Sequence, residues 1–88
     1  MKLYLVHVGF YDEPLGIYES HTNYFIAAES PQVAKEKMKA KPIFKEKKMH
    51  IDGMQEITQV DGFNVILTAT DNFNSENPIF KYDSVKTL

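Results

Sequence analysis

Two histidine and carboxylate pairs are the residues of this sequence best suited to chemistry. His21 follows Glu19 by two positions, and Asp52 follows His50 by two positions. In an extended strand, side chains two positions apart point to the same face, so each pair can present an imidazole beside a carboxylate. Such groups act as general bases or bind metals near neutral pH. Glu19, His21, His50 and Asp52 are therefore the candidate ligand-binding residues, and the alternative is that all four are solvated surface groups.

The third histidine, His7, should lie on the same strand face as His21 and Asn23, but too far from His21 to share an ion with it. Pairing Tyr11 with His21 puts His7 four residues from the partner of His21, which is about 14 Å at roughly 3.4 Å per residue. Zinc needs ligand atoms about 2 Å away. We therefore assign neither a metal nor a cofactor.

Several other chemistries are excluded by composition. The sequence has no cysteine, which removes disulfides, thiolate nucleophiles and cysteine zinc sites, and which fits a reducing, cytoplasmic compartment. Its four glycines are isolated, so no phosphate-binding loop is present. The amino terminus has too short an apolar run for a secretion signal or a membrane span, and we expect no membrane partner.

A lysine-rich stretch is the feature that could suggest nucleic acid. Seven of the ten lysines lie between Lys35 and Lys48, but arginine is absent and the net charge is −2. Base reading and bidentate phosphate recognition usually use arginine, and nucleic-acid-binding domains are usually basic. The stretch is better interpreted as a solvated helix face, and no specific nucleic-acid partner is expected.

Alternating strands should position the candidate residues. Residues 3–11 and 21–29 both alternate apolar and polar side chains, which predicts an antiparallel hairpin with Val6 opposite Ile26 and Val8 opposite Tyr24. Ser30 and Pro31 then signal a helix start, and Pro42 ends the helix near Lys41. The apolar stripe of this helix is narrow, so the helix can cover one side of a sheet. The stripe comprises Val33, Ala34 and Met38.

A second hairpin is predicted around Asp61 and Gly62, which favour a two-residue type I′ turn between strands at 54–60 and 63–69. Val60 should pair with Phe63, and this face should point to the core together with Val65 and Leu67. The 88 residues suffice for one domain. We expect a domain at 1–70, and a C-terminal segment at 71–88 with a flexible connection at 71–77 and a short strand-like piece at 79–82.

These elements define an α+β fold with two layers, ordered strand, strand, helix, strand, strand, with an antiparallel sheet and one main helix. The run at 50–56, the run at 60–65, the segment at 19–21 and an opening strand ending at Gly9 together resemble the bacterial domain of unknown function 1543 family, from about Lys2 to Leu67. That resemblance implies an α+β fold, one or two copies of the domain per chain, and no assigned activity.

Two functions remain. We favour a small non-enzymatic binding module, with a protein or small-molecule partner, that self-associates as a homodimer by adding residues 79–82 to a sheet edge. The alternative is a small metal-dependent or hydrolase-like enzyme that uses His21, His50 and Asp52. An 88-residue chain has little room for a core and a walled pocket, which weighs against catalysis.

Overall fold

The fold is an α+β arrangement, as the sequence predicts. The computed structural model describes residues 1–73 and 76–88. The strands are β1 (Lys2–Tyr11), β2 (Glu19–Ala28), β3 (His50–Ile57), β4 (Gln59–Val60) and β5 (Phe63–Asn64), and the helices are α1 (Pro31–Ala40), α2 (Pro42–Glu46) and α3 (Tyr82–Val85), with a 3₁₀ turn at Glu13–Leu15.

The main sheet has three antiparallel strands in the order β2-β1-β3, so β1 is central. One face carries the core, because alternate residues of β1 point into it and α1 packs over β1 and β2. The core side chains are Tyr4, Val6, Val8, Ile26, Ala28, Ala34, Met38 and Met49. The other face of the sheet has no covering helix within the described residues.

Tyr4 is the largest of these core side chains, and it brings a polar group into the core. Its hydroxyl donates a hydrogen bond of 3.3 Å to Glu56 Oε1. Burial raises the pKa of Tyr4 and the negative charge of Glu56 raises it further, so the phenol stays neutral.

Residues 30–42 determine where the first helix begins and ends and where the second begins. The Ser30 side chain accepts a hydrogen bond of 3.3 Å from the Val33 N–H, and Pro31 occupies the first turn of α1. Lys41 is extended, as a residue before proline prefers. The sequence did not predict α2: Pro42 ends one helix but also begins another, because the first helical position tolerates its missing N–H.

The predicted register of the first hairpin was wrong by two residues. Tyr11 pairs with Glu19, not His21, and Val6 pairs with Tyr24, not Ile26. A two-residue shift leaves every side chain on its predicted face, so apolar alternation cannot distinguish the two registers. The shift matters for function, because it puts His7 opposite Asn23 and only two residues from the partner of His21.

The Asp61–Gly62 turn is confirmed, but the prediction that Val60 and Phe63 face the core is wrong, while Val65 and Leu67 are partly buried. Val60 pairs with Phe63, and φ is +52° at Asp61 and +83° at Gly62, as a type I′ turn requires. However, β4 and β5 form a separate two-stranded sheet in which Val60 is 54% and Phe63 73% exposed. Alternation indicated a buried face, whereas this hairpin lies away from the core.

The C-terminal segment also differs from the expectation. Residues 79–81 form no strand, and Tyr82–Val85 is a helical turn. Part of the connection expected at 71–77 lies outside the described residues. Within residues 1–73 and 76–88, no helix has both the length and the apolar character that crossing a membrane requires.

Replacing Met38 by Ala should lower the free energy of unfolding by about 2–5 kcal/mol, because the protein loses the transfer free energy of the removed atoms and also bears the cost of the cavity that they leave. Met38 is fully buried on α1. Lys39→Ala, at the exposed neighbouring position, should change it by less than about 0.5 kcal/mol. Urea denaturation measures both, and equal effects would contradict the assigned face of α1.

Replacing Gly62 by Val should disrupt the β4-β5 hairpin, because a β-branched residue at positive φ costs roughly 1–2 kcal/mol. Gly62→Asn should preserve the hairpin, since asparagine tolerates that conformation and the site has open space around it. The measurement is the cross-strand nuclear Overhauser effect between Val60 and Phe63. Its survival in the valine variant would refute the turn assignment.

Candidate functional site

A cluster of polar side chains lies on the outer face of the three-stranded sheet. Each strand contributes: β1 supplies His7, β2 supplies Glu19 and His21, and β3 supplies His50 and Asp52. We call these five residues the outer-face cluster. It contains all three histidines of the chain.

A β-bulge lets β3 present both of its cluster residues. His50 pairs with Gly9 and Ile51 with Val8, but the next pair joins His7 to Gly53, which leaves Asp52 as the extra residue. A bulge of this kind places two residues of one strand opposite one of its partner and redirects a side chain. Asp52 is thereby aimed at His50 and His21 instead of being locked into the ladder.

Gly9 provides the space beneath the cluster. It lies on the central strand between His21 of β2 and His50 of β3. A Cβ atom added there would be 2.6 Å from Asp52 Oδ2 and 2.7 Å from His50 Nε2, and closer still to the Glu19 carboxylate. Real Cβ atoms do not make such contacts, so only glycine allows these three side chains to meet above β1.

The contacts inside the cluster link imidazoles to carboxylates. His50 Nε2 lies 2.5 Å from Glu19 Oε1 and 3.1 Å from Asp52 Oδ1. His21 lies between the same two carboxylates, with Nε2 3.5 Å from Glu19 Oε1 and Nδ1 3.7 Å from Asp52 Oδ2. All four residues proposed from the sequence therefore come together.

His7 joins the cluster, which contradicts the expectation that it lies too far from His21. Its Nε2 is 3.1 Å from His21 Nδ1, and the ring centroids are 4.9 Å apart. Its Nδ1 is 2.7 Å from Asn23 Oδ1. Because an amide oxygen only accepts, His7 carries its proton on Nδ1, and its Nε2 accepts the hydrogen bond from His21 Nδ1. Sequence reasoning missed this because of the two-residue register error.

The electrostatics of the cluster favour a cation. The side chains of Glu19 and Asp52 are 30% and 31% exposed, so both are partly removed from water. Within the described residues the basic side chains within 4.0 Å of these two carboxylates are His21 and His50, and no lysine comes that close. With neutral imidazoles the cluster therefore holds two negative charges that no fixed positive charge neutralises.

Two clefts of the described surface lie away from the cluster. One of about 370 Å³ is bordered by the 12–14 loop and by Glu46 to Lys48, and another of about 430 Å³ by Met1, Ala27, Phe73 and residues 67–70. Neither is lined by a cluster residue. The cluster side chains are partly exposed, so the cluster is open to solvent.

The comparison with known proteins now gives the family. The model of the Domain of Unknown Function 1543 (DUF1543) matches residues 17–67, more than half of the 88-residue chain. The chain belongs to the DUF1543 family. The matched part of this DUF1543 domain includes four of the five cluster residues and begins after His7 and Gly9. No curated protein and no solved structure matches the chain.

Replacing Gly9 by Ala in this DUF1543 domain should separate the cluster without unfolding the sheet. The colliding atoms are ends of exposed side chains that can move, so we expect a loss of at most about 1–2 kcal/mol in unfolding free energy. The nuclear Overhauser effects between the rings of His21 and His50 and the carboxylate side chains should weaken.

Gly53→Ala is the matched control. Gly53 lies in the same sheet, opposite His7, and an added Cβ meets nothing within 4 Å. The cluster should keep its contacts in that variant. An unchanged cluster in Gly9→Ala would show that these side chains do not meet above Gly9.

Proposed function

We propose that this DUF1543 domain is a small non-enzymatic binding module that self-associates, and that its outer-face cluster is the ligand site. The observation that carries the proposal is the meeting of all three histidines with Glu19 and Asp52 above Gly9. Five chemically capable side chains from three strands need both a bulge and a glycine to converge. A face that served only solubility would need neither.

One observation favours the enzymatic alternative. Three protein ligands with an open fourth position are typical of catalytic zinc sites. Against it stands the shape of the surface. Enzymes bind small substrates in concave pockets that exclude water. On this face, by contrast, the side chain of His21 is 39% exposed and that of His50 is 47% exposed. We therefore favour binding without turnover.

Thermal unfolding with a panel of probes tests the ligand half of the proposal. The panel contains divalent cations, inorganic phosphate, short carboxylates and short amines. A probe that binds only the folded state raises the melting temperature. We expect at least one to do so for the native protein and Gly53→Ala, with a smaller rise for Gly9→Ala. A panel without any shift that depends on Gly9 would overturn this half.

Self-association is supported by the C-terminal arm, which we define as residues 58–73 and 76–88. The chain is not fully compact: its Cα radius of gyration is 15.6 Å, against about 12 Å for a compact chain of this length. The arm also exposes large apolar side chains, which in soluble proteins mark interaction surfaces when they adjoin. Those exposed are Val60, Phe63, Ile66, Phe73, Ile79, Phe80, Tyr82, Val85 and Leu88.

A second copy of the chain is the occupant that we propose for the arm. Residues 76–88 carry two acidic and two lysine side chains, so this part of the arm does not repel its copy. The family resemblance implies that some chains carry two copies of the domain, which favours association between copies. A twofold pair uses the same patch on both subunits. Since residues 79–81 are not a strand, apolar packing replaces the strand addition expected from the sequence.

The absence of cysteine and the family resemblance lead us to propose the bacterial cytoplasm as the location.

Light scattering of the full-length protein should give the mass of a dimer. Phe63→Asp with Phe80→Asp should give a monomer, because a charged side chain in place of an exposed phenylalanine opposes burial between subunits. Both side chains are exposed within one chain, so the fold should survive.

Phe25→Asp is the matched control for the dimer. Phe25 is equally exposed but lies on β2, outside the arm. It should leave the dimer intact. A monomeric native protein would overturn the self-association, and a dimer broken by Phe25→Asp alone would move the interface from the arm to the sheet.

A further inference from the structure

We propose that the ligand of the outer-face cluster is a divalent transition-metal ion with the coordination chemistry of Zn²⁺. This inference rests on the proposed function, since it names the ligand of the same site. Two overlapping sets of three ligand atoms are present. His7, His21 and Asp52 form one set, and Glu19, His50 and Asp52 form the other, with the atoms of each set within 4.8 Å of one another.

The first set has the spacing of a tetrahedral site. Two ligand atoms about 2.0–2.1 Å from a tetrahedral zinc ion lie roughly 3.3 Å apart. His7 Nε2 and His21 Nδ1 are 3.1 Å apart, and His21 Nδ1 and Asp52 Oδ2 are 3.7 Å apart. Small side-chain rotations suffice to bring all three to an ion, and a fourth position stays open to solvent.

Hydrogen bonds hold a proton in each set: His21 Nδ1 donates to His7 Nε2 in the first, and His50 is bonded to Glu19 in the second. His50 Nε2 is 3.1 Å from Asp52 Oδ1, which fits a common ion, but only 2.5 Å from Glu19 Oε1. An ion in the second set must replace the proton shared by His50 and Glu19, and the two side chains must separate slightly. Metal binding at histidine and carboxylate ligands releases protons in this way.

Asn23 supports the metal interpretation independently. Metal-binding histidines usually donate their other ring N–H to a carbonyl or carboxylate, which fixes the tautomer and the ring orientation. His7 makes this contact with Asn23 Oδ1 at 2.7 Å and directs Nε2 into the cluster. Asn23 is therefore a positioning residue, not a ligand.

The donor atoms select the class of ion. Three imidazoles and two carboxylates suit Zn²⁺ and its transition-metal neighbours, whereas Mg²⁺ and Ca²⁺ prefer sites made of oxygen ligands. The two uncompensated carboxylates favour a cation over an anion at this face. Asp52 belongs to both sets because its Oδ2 faces His21 and its Oδ1 faces His50. Its loss should therefore weaken binding wherever the ion lies.

Calorimetric titration of tag-free protein with Zn²⁺, and separately with Mg²⁺, tests the inference. Zn²⁺ should bind at a fixed stoichiometry and much more tightly than Mg²⁺. Asp52→Asn and His21→Ala should weaken Zn²⁺ binding by at least the roughly 10–100-fold that loss of an outer-sphere partner causes, and Asn23→Ala should weaken it within that range. Each variant lies on an exposed face, and circular dichroism checks its fold.

Asp61→Asn is the control, because it removes a carboxylate at the remote turn where asparagine tolerates the positive φ. It should bind Zn²⁺ like the native protein. Absent Zn²⁺ binding, or equal binding by Asp52→Asn, would overturn the metal centre. If phosphate, a carboxylate or an amine instead produces a melting-temperature shift that depends on Gly9, the metal inference fails while the binding module stands.

Discussion

The absence of a side chain at Gly9 is the constraint on which the outer face of this DUF1543 domain depends. Gly9 lies at the middle of the sheet, where neighbouring strands bring His21 and His50 to either side. In a sheet, directly opposed side chains lie about 4.5–5.5 Å apart at Cβ. With a side chain at the centre, the flanking groups would be held apart. With glycine, carboxylate and imidazole groups fold inward over the backbone and meet.

The outer face can carry these polar side chains without weakening the core, because the core lies entirely on the other side of β1. Val6 and Val8 are buried beneath α1, while the intervening His7 and the following Gly9 face outward. Strand alternation therefore separates the part of the sheet that stabilises the domain from the part that can bind. The bulge at Asp52 changes only the outer face, since Ile51 and Met54 still pack against the core.

Local signals in the sequence were sufficient for the elements but not for their assembly. The cap at Ser30, Pro31 after it and the Asp61–Gly62 turn each follow from the chemistry of one or two residues, and all three are present. The outward position of Glu19 and His21 followed from alternation. The contact between His7 and His21 did not, because two registers that differ by two residues bury the same side chains.

The remaining differences have the same physical origin. The apolar periodicity of a segment indicates its secondary structure but does not specify which element it pairs with or packs against. The bulge at Asp52 breaks the pairing without changing the local pattern of His50 and Asp52. Val60 and Phe63 alternate like a core strand, yet their hairpin pairs with itself and stays exposed. In our account those apolar side chains are buried by another copy of the chain.

The most direct measurement of the central claim is long-range ¹H–¹⁵N spectroscopy of the imidazole rings, because the chain has only three histidines. We expect His7 to carry its proton on Nδ1, and Zn²⁺ to shift the resonances of the set that it occupies, either His7 Nε2 with His21 Nδ1 or His50 Nε2. Three rings without mutual contacts, none of which responds to Zn²⁺, would contradict the claim.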